Sequence, residues 1–270
     1  MNNGFNFAIL GSGSRGNCSV IQIESFLYLV DCGLSLRQTR LRMETLGLKM
    51  EDVQGIFLTH LDRDHFNTSW VGQVKRQRIR VHAGPMHITG AAKAGLPEWC
   101  LHPVHEDMRL MHEELAVQRV DVAHDEAGCS SFIFQANDCR LGWATDIGHV
   151  PSHLLDAFIE LDAIAFESNY DRRMQEQSDR PAFLKQRIMG GQGHLSNREA
   201  LEAVTSVSDR SRLQHIAMLH LSQQCNDPDR LLRLWQDEAP QLHERLVLSR
   251  QNTPTDLLRI QPATTELLTG

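Results

Sequence analysis

The chain has 270 residues, 41% of them apolar, which is enough for one large core, and a single domain spanning residues 1–270 is expected. Its net charge of −7 argues against a surface that holds nucleic acid by bulk electrostatics, so an anionic substrate must meet a local basic patch. No apolar run approaches the roughly 18 residues of a membrane span, the N-terminus lacks a leader's basic start and apolar middle, and the six cysteines form no C-x-x-C pair, so a cytoplasmic, thiol-reduced protein with no membrane role is expected.

β-rich runs at Phe5 to Leu10, Ser19 to Ile23 and Leu27 to Val30 precede an amphipathic stretch, Leu36 to Leu46, and a further run, Ile56 to Thr59. This opening reads as adjacent strands followed by β-α-β. Next come Arg80 to Ala83, a helix after Pro85, and four runs at Leu115 to Ala123, Ser131 to Gln135, Arg140 to Thr145 and Ala163 to Glu167. With no helix evident between them, antiparallel pairing is expected there. The last third gives helix Asn197 to Val207, strand His215 to Leu221, helix Asp227 to Gln236, and strands Leu246 to Ser249 and Asp256 to Ile260. Two sheets with helices outside is the simplest packing of these elements.

The Gly-rich stretch "GSGSRGN", Gly11 to Asn17, follows a strand but lacks a Gly-Lys-Ser/Thr ending and leads into another β-like run. It reads as a tight turn at the rim of a site, not as a phosphate loop.

The segment "LTHLDRDHF" packs His60, Asp62, Asp64 and His65 into six residues at the end of an apolar strand. Such groups converge on a loop to hold divalent ions, and mixed imidazole and carboxylate suits zinc, iron or manganese. One segment cannot complete two coordination shells. Further ligand types stand at later strand ends: His124 in "VAHDEAG", Asp146 in "GWATDIG" and His220 in "AMLHLSQ".

This series of segments resembles the metallo-β-lactamase superfamily, whose pattern is H-x-H-x-D-H followed by a His, a bridging Asp and a last His. More narrowly, "FAILGSGSRGNCSVI", "LVDCGLS", "TDIGHV", "ESNYD", "LKQRIMGGQGHLSN" and "LHLSQQCND" resemble the YycJ-like (WalJ-like) branch. The resemblance implies an α/β fold, the four-layer αββα sandwich, with two divalent metals at the sheets' shared edge. It implies His60 and His124 on one metal, Asp64, His65 and His220 on the other, and Asp146 as the bridge. It implies a metal-dependent phosphodiester hydrolase, a nuclease of 5′ to 3′ exonuclease character acting on DNA or RNA, with a metal-bridging hydroxide as nucleophile. Asp64 and His194 are the expected catalytic residues, His194 as general acid. His194 also stands just before a helix start at Ser196, where capping is the competing role.

Two positions depart from the family pattern. Asp62 stands where the superfamily has its second histidine, and Tyr170 stands where the branch reads E-S-N-H-D. As a ligand, Asp62 would leave two divalent ions fully neutralised by three carboxylates and a hydroxide, where a histidine would leave one positive charge. That tilts preference from zinc toward manganese or iron. The competing outcomes are a site holding only its second metal, or a metal-poor interaction protein. The segment Asp171 to Ile188 carries Arg172, Arg173, Arg180, Lys185 and Arg187 against three carboxylates. Lys185 and Arg187 are its candidate substrate contacts, with a solvated helical face as the alternative, and Tyr170 just before it is a further candidate, with packing as its alternative. A small-substrate phosphodiesterase on the same fold is the second enzymatic reading.

Overall fold

The computed structural model describes residues 4–112 and 114–262; residues 1–3, 113 and 263–270 of the expected 1–270 domain lie outside the described residues, as do the first residues on which the absence of a leader was read. In chain order the first half contains β1 (Phe5–Gly11), β2 (Cys18–Ile23), β3 (Phe26–Val30), α1 (Leu36–Thr45), β4 (Val53–Leu58), α2 (Trp70–Gln77), β5 (Arg80–Ala83), α3 (Pro85–Lys93) and β6 (Leu101–Pro103). The second half contains β7 (Arg109–His112), β8 (Leu115–Val122), β9 (Cys129–Ala136), β10 (Cys139–Ala144), α4 (Ser152–Ala157), β11 (Ala163–Glu167), α5 (Arg172–Gln177), α6 (Ala182–Met189), α7 (Asn197–Ser208), β12 (His215–Leu219), α8 (Pro228–Glu238), α9 (Pro240–His243), β13 (Leu246–Leu248) and β14 (Leu258–Ile260). Among the described residues, no helix is long and apolar enough to cross a membrane.

Two seven-stranded sheets run β14-β1-β2-β3-β4-β5-β6 and β13-β12-β11-β10-β9-β8-β7. Between them lies an aromatic core that includes Phe7, Phe57, Phe132, Phe134 and Trp143. Phe57 meets Phe134 edge to face at 5.1 Å between ring centres. Burying such a side chain is worth about 1.5–3 kcal/mol, so this layer holds the sheets together. Met43, Trp70, Val74 and Ala91 pack α1–α3 on the outer face of the first sheet. Leu154, Val204 and Trp235 do the same for α4, α7 and α8 on the second. The result is the expected four-layer αββα sandwich.

One pairing differs from the sequence reading. β8, β9 and β10 are antiparallel as expected, but β10 and β11 run parallel. The connection between them contains the short helix α4, which makes it a crossover.

Strand direction explains where the site forms. β1 and β3 are both antiparallel to β2, and β4 is parallel to β3, so their C-terminal ends share one edge. By the same logic β8, β10, β11 and β12 end together in the second sheet. The turns that leave these strands carry every candidate ligand.

Candidate metal centre

The loop after β4 places His60 and His65 fully inside, Asp64 at the wall and Asp62 outward. From the opposite sheet come His124 after β8, Asp146 after β10 and His220 after β12, all buried. Ligand-type atoms of His60, His124 and Asp146 lie within 4.8 Å of one another, as do those of Asp64, His65 and His220. Asp146 joins the two groups: its carboxylate lies 3.0 Å from His65 Nε2, 3.9 Å from His124 Nε2 and 3.4 Å from His220 Nδ1. Asp31, Asp146 and His220 adopt left-handed backbone at φ +59°, +53° and +53°. Non-glycine residues adopt that region at a cost, and it recurs where chains aim functional groups.

Most of these rings are tied from behind by Nδ1. His65 Nδ1 lies 2.7 Å from Asp31 Oδ2, and Thr59 anchors the same carboxylate through its amide at 2.9 Å. His124 Nδ1 donates to Gly193 O at 2.9 Å, and His60 Nδ1 lies 3.1 Å from Thr59 Oγ1. Such ties leave Nε2 to face a cation. His220 Nε2 is buried without a hydrogen-bond partner among the described residues; its nearest carboxylate, Asp64 Oδ2, is 3.6 Å away. A buried orphan nitrogen is costly unless something ligates it. The donor set fits divalent cations of the zinc, manganese or iron kind.

The Gly-rich turn belongs to this site as well. Asn17 Oδ1 accepts from Gly13 N at 2.8 Å, which turns its amide nitrogen toward Asp64 and to within 2.9 Å of His65 Nε2. Ser12 Oγ accepts from His220 N at 2.8 Å. Gly33 packs against the metal loop so closely that a Cβ there would sit 1.7 Å from Asp64 O.

The family model described as the beta-lactamase superfamily domain matches residues 27–216. The chain belongs to the metallo-β-lactamase superfamily. Within it the chain is YycJ/WalJ-like. It is 28% identical over 228 residues to the exodeoxyribonuclease YycJ of Bacillus anthracis, covering 81% of this chain and 83% of that one. It is 26% identical over 232 residues to the exodeoxyribonuclease WalJ of Streptococcus pneumoniae, covering 83% and 84%. Among solved structures, the metallo-β-lactamase fold protein YhfI of Bacillus subtilis matches with a TM-score of 0.69 at 13% identity, covering 94% of this chain and 99% of that one.

Against this metallo-β-lactamase frame, two carboxylates acquire roles that their motifs alone did not disclose. One is Asp31, described above. The other is Glu167, fully buried at the end of β11, whose Oε1 lies 2.8 Å from His194 Nδ1 and 3.3 Å from His220 Nδ1. Its Oε2 accepts from Ile147 N and Leu195 N at 2.9 and 3.1 Å. Both residues stand in the quoted segments "LVDCGLS" and "ESNYD", yet a lone carboxylate at a strand end gives no sequence signal of what it faces.

The electrostatics follow from this crowding. Burial, then the neighbouring His65, hold His60 well below the ordinary imidazole range, which leaves it neutral. Burial opposes charging of His220, but Asp146, with Asp64 and Glu167, outweighs it and lifts the group to about 10. His65 is also raised, because Asp146 and Asp31 overcome its burial. Burial works to raise Asp64, but His220 and His65 prevail and bring it to about 2. Glu167 is lowered for the same kind of reason, its burial overcome first by His194.

His194 lines a cavity of about 390 Å³ together with Asp62, Asp64, His124, Asp146 and His220. Ser196, not His194, caps α7, through a reciprocal box with Glu199. Asp62 is 59% exposed, with Oδ2 3.9 Å from His60 Nε2, and groups with His124 and Asp125 rather than with Asp146. The expected substrate contacts divide. Arg187 lines the cavity but is ion-paired with Asp125. Lys185 does not line it, since its ammonium donates to Glu176 O at 2.7 Å. Tyr170 is buried against Ile188 and Cys225 and does not line it either. Lys185 lies on a solvent-facing turn of α6, of which only one side can reach the cavity, whereas Tyr170 precedes α5 and packs into the interior.

Proposed function

We propose that the chain is a metal-dependent phosphodiester hydrolase, a nuclease of 5′ to 3′ exonuclease character, built as one domain. The observation that carries this reading is that one cavity joins the imidazole and carboxylate cluster to a further imidazole at its edge, His194, which lies 3.6 Å from Asp146 and is backed by the buried Glu167. Phosphodiester hydrolysis needs both parts: charge stabilisation where phosphorus is attacked, and a proton for the departing oxygen. The names of the YycJ and WalJ relatives support DNA as the substrate class.

His60 and His124, with Asp62, would hold one divalent cation; Asp64, His65 and His220 would hold the other, and Asp146 would be shared. Bound there, such cations supply Lewis acidity at the phosphoryl oxygens and make water acidic enough to attack at neutral pH. The chain's own groups then work as follows. Asp31 and the Gly193 carbonyl hold His65 and His124 by Nδ1, so that the Nε2 of each is turned toward Asp146. Asp64, held as a carboxylate, accepts a hydrogen from the attacking water and orients it. Because a carboxylate only accepts, Glu167 keeps the Nδ1 hydrogen of His194 in place, and Nε2 faces the cavity. From Nε2 the imidazolium gives its proton to the oxygen that leaves phosphorus as the new P–O bond forms.

A small phosphodiester is the second reading. The cavity is of small-ligand size, and the adjoining groove carries Asp62 and Glu126 beside the Arg187–Asp125 pair, a net negative lining that disfavours a polymer backbone. The test is hydrolysis by the zinc- or manganese-reconstituted protein of 5′- and 3′-labelled single-stranded DNA and RNA, beside bis(4-nitrophenyl) phosphate. Mononucleotide release from the 5′ end supports the nuclease. Cleavage of the aryl diester alone supports the small-substrate enzyme. No bound metal and no hydrolysis under either reconstitution returns the chain to the metal-poor interaction-protein reading.

A further inference from the structure

Among the described residues two guanidinium groups line the cavity, those of Arg180 and Arg187. Arg187 is neutralised by Asp125. Elsewhere on and around the basic segment, Arg172 pairs with Glu176, Arg198 with Glu238 and Arg230 with Asp171. Arg180 differs. Its contacts are Gln175 Oε1 at 3.1 Å, Ser222 Oγ at 3.3 Å and Gln224 Oε1 at 3.2 Å, all neutral. Among the described residues no carboxylate lies within ion-pair distance of it. The guanidinium is therefore held in place by three acceptors while its charge stays uncompensated at a cavity wall.

Its neighbour Ser222 adds a donor. Ser222 Oγ accepts from both Arg180 Nη2 and Cys225 N, so its own hydroxyl hydrogen is left to donate. Ser222 is only two residues beyond His220, a reach of about 7 Å of extended chain. The pair thus sits beside the candidate metal cluster and not within it. The Nε and Nη2 hydrogens of Arg180 go to Gln224 and Ser222 and one Nη1 hydrogen goes to Gln175, so the guanidinium keeps its charge and a free Nη1 hydrogen; a fixed cation with a nearby hydroxyl is chemistry that recognises phosphate oxygens.

We propose that Arg180 and Ser222 form a second phosphate subsite, which binds a phosphate group adjoining the diester being hydrolysed. This rests on the phosphodiesterase reading and narrows it: the substrate carries at least two neighbouring phosphates. The subsite's phosphate is either the terminal 5′-monoester or the first internal linkage, and the experiment separates them.

The test is fluorescence-anisotropy binding of a 3′-labelled single-stranded phosphorothioate decamer, which keeps its charges and resists cleavage, to the full metal-loaded chain. Three probes are used: with a 5′-phosphate, with a 5′-hydroxyl, and with one neutral methylphosphonate at the first internal linkage. R180Q is expected to weaken binding of the 5′-phosphorylated probe about tenfold and to flatten the log–log salt slope by about 0.7. R180K returns the charge without the guanidinium's anchoring to Gln175, Gln224 and Ser222, and should recover the salt slope but not the full affinity. Removing one of the two phosphates should cost the wild type the same factor and cost R180Q almost nothing; which probe does so identifies the terminal or the internal phosphate. Unchanged affinity and salt slope in R180Q overturn the subsite, as do equal losses in wild type and variant for both neutralised probes. Hydrolysis of unmodified DNA is scored in parallel. Arg180-dependent binding without hydrolysis removes the nuclease reading and keeps the subsite, whereas hydrolysis with Arg180-independent binding does the reverse.

Discussion

Glu167 Oε1 lies 2.8 Å from His194 Nδ1, a buried carboxylate against an imidazole that faces the cavity. If Glu167 acts through His194, E167Q should lower kcat on DNA by about 10²-fold, the lower end of what general acids contribute, with a smaller change in KM. The loss should shrink for bis(4-nitrophenyl) phosphate, whose leaving group departs without a proton. H194Q and E167Q should be non-additive, since both remove one proton relay. Equal losses on both substrates, or additive losses, would mean that Glu167 serves only to hold the fold and His220.

Asp31 supports His65 in the same manner, but on the metal side. It takes the Nδ1 contact at 2.7 Å and is pinned by Thr59 through amide and hydroxyl. D31N keeps the shape and removes the charge. Metal affinity should fall about 10–100-fold, measured by competition with a chromophoric chelator, while the unfolding temperature of the stripped protein changes little by comparison. An affinity within twofold of wild type would place Asp31 outside the metal's support.

Most of the strands and the candidate ligands were legible because each ligand is a polar residue type with a defined chemistry at the end of an apolar β-like run. His60, His65, His124, Asp146 and His220 all read in this way. The supporting carboxylates Asp31 and Glu167 were not legible, because one acidic residue after a strand looks the same whether it faces solvent or an imidazole from another element. Charge counting found the basic segment but chose Lys185 and Arg187. Only the fold reveals that Arg187 is ion-paired with Asp125, that Lys185 is turned to a backbone carbonyl away from the cavity, and that Arg180 lines the cavity with only neutral partners. The parallel pairing of β10 and β11 was missed because α4 is a six-residue helix, too short to carry a periodic signal.

Protons and metal should compete at this centre. Among the protein's own groups, His220 is lifted to about 10 and His65 is also raised, so in the stripped protein at pH 7 His220 carries a proton that a cation must displace. A raised pKa on a group that must deprotonate to bind means that affinity increases with pH. Between pH 6 and 9 the apparent association constant should rise about tenfold per unit for each proton released, at least one from His220. Calorimetric titration in buffers of different ionisation enthalpy reads that number directly. Heats independent of the buffer would show that no proton leaves and that His220 is not a ligand.

Asp62 decides how far this centre departs from its superfamily. Its carboxylate is 59% exposed and 3.9 Å from His60 Nε2, close enough to join a shared cation but not enclosed by the fold as His60 and His124 are. Replacing it with histidine adds one positive charge to the site and a softer donor, so D62H should raise the affinity ratio of zinc over manganese on the order of tenfold. D62A removes the donor altogether and should lower the metal content of the purified protein toward one ion per chain, because the Asp64, His65 and His220 group does not depend on it. Elemental analysis with competition titration of both variants separates the cases. A metal content and a selectivity ratio unchanged in both variants would mean that Asp62 touches no metal. His60, His124 and Asp146 would then carry the first site by themselves, with Asp125 as the remaining carboxylate within reach of His124.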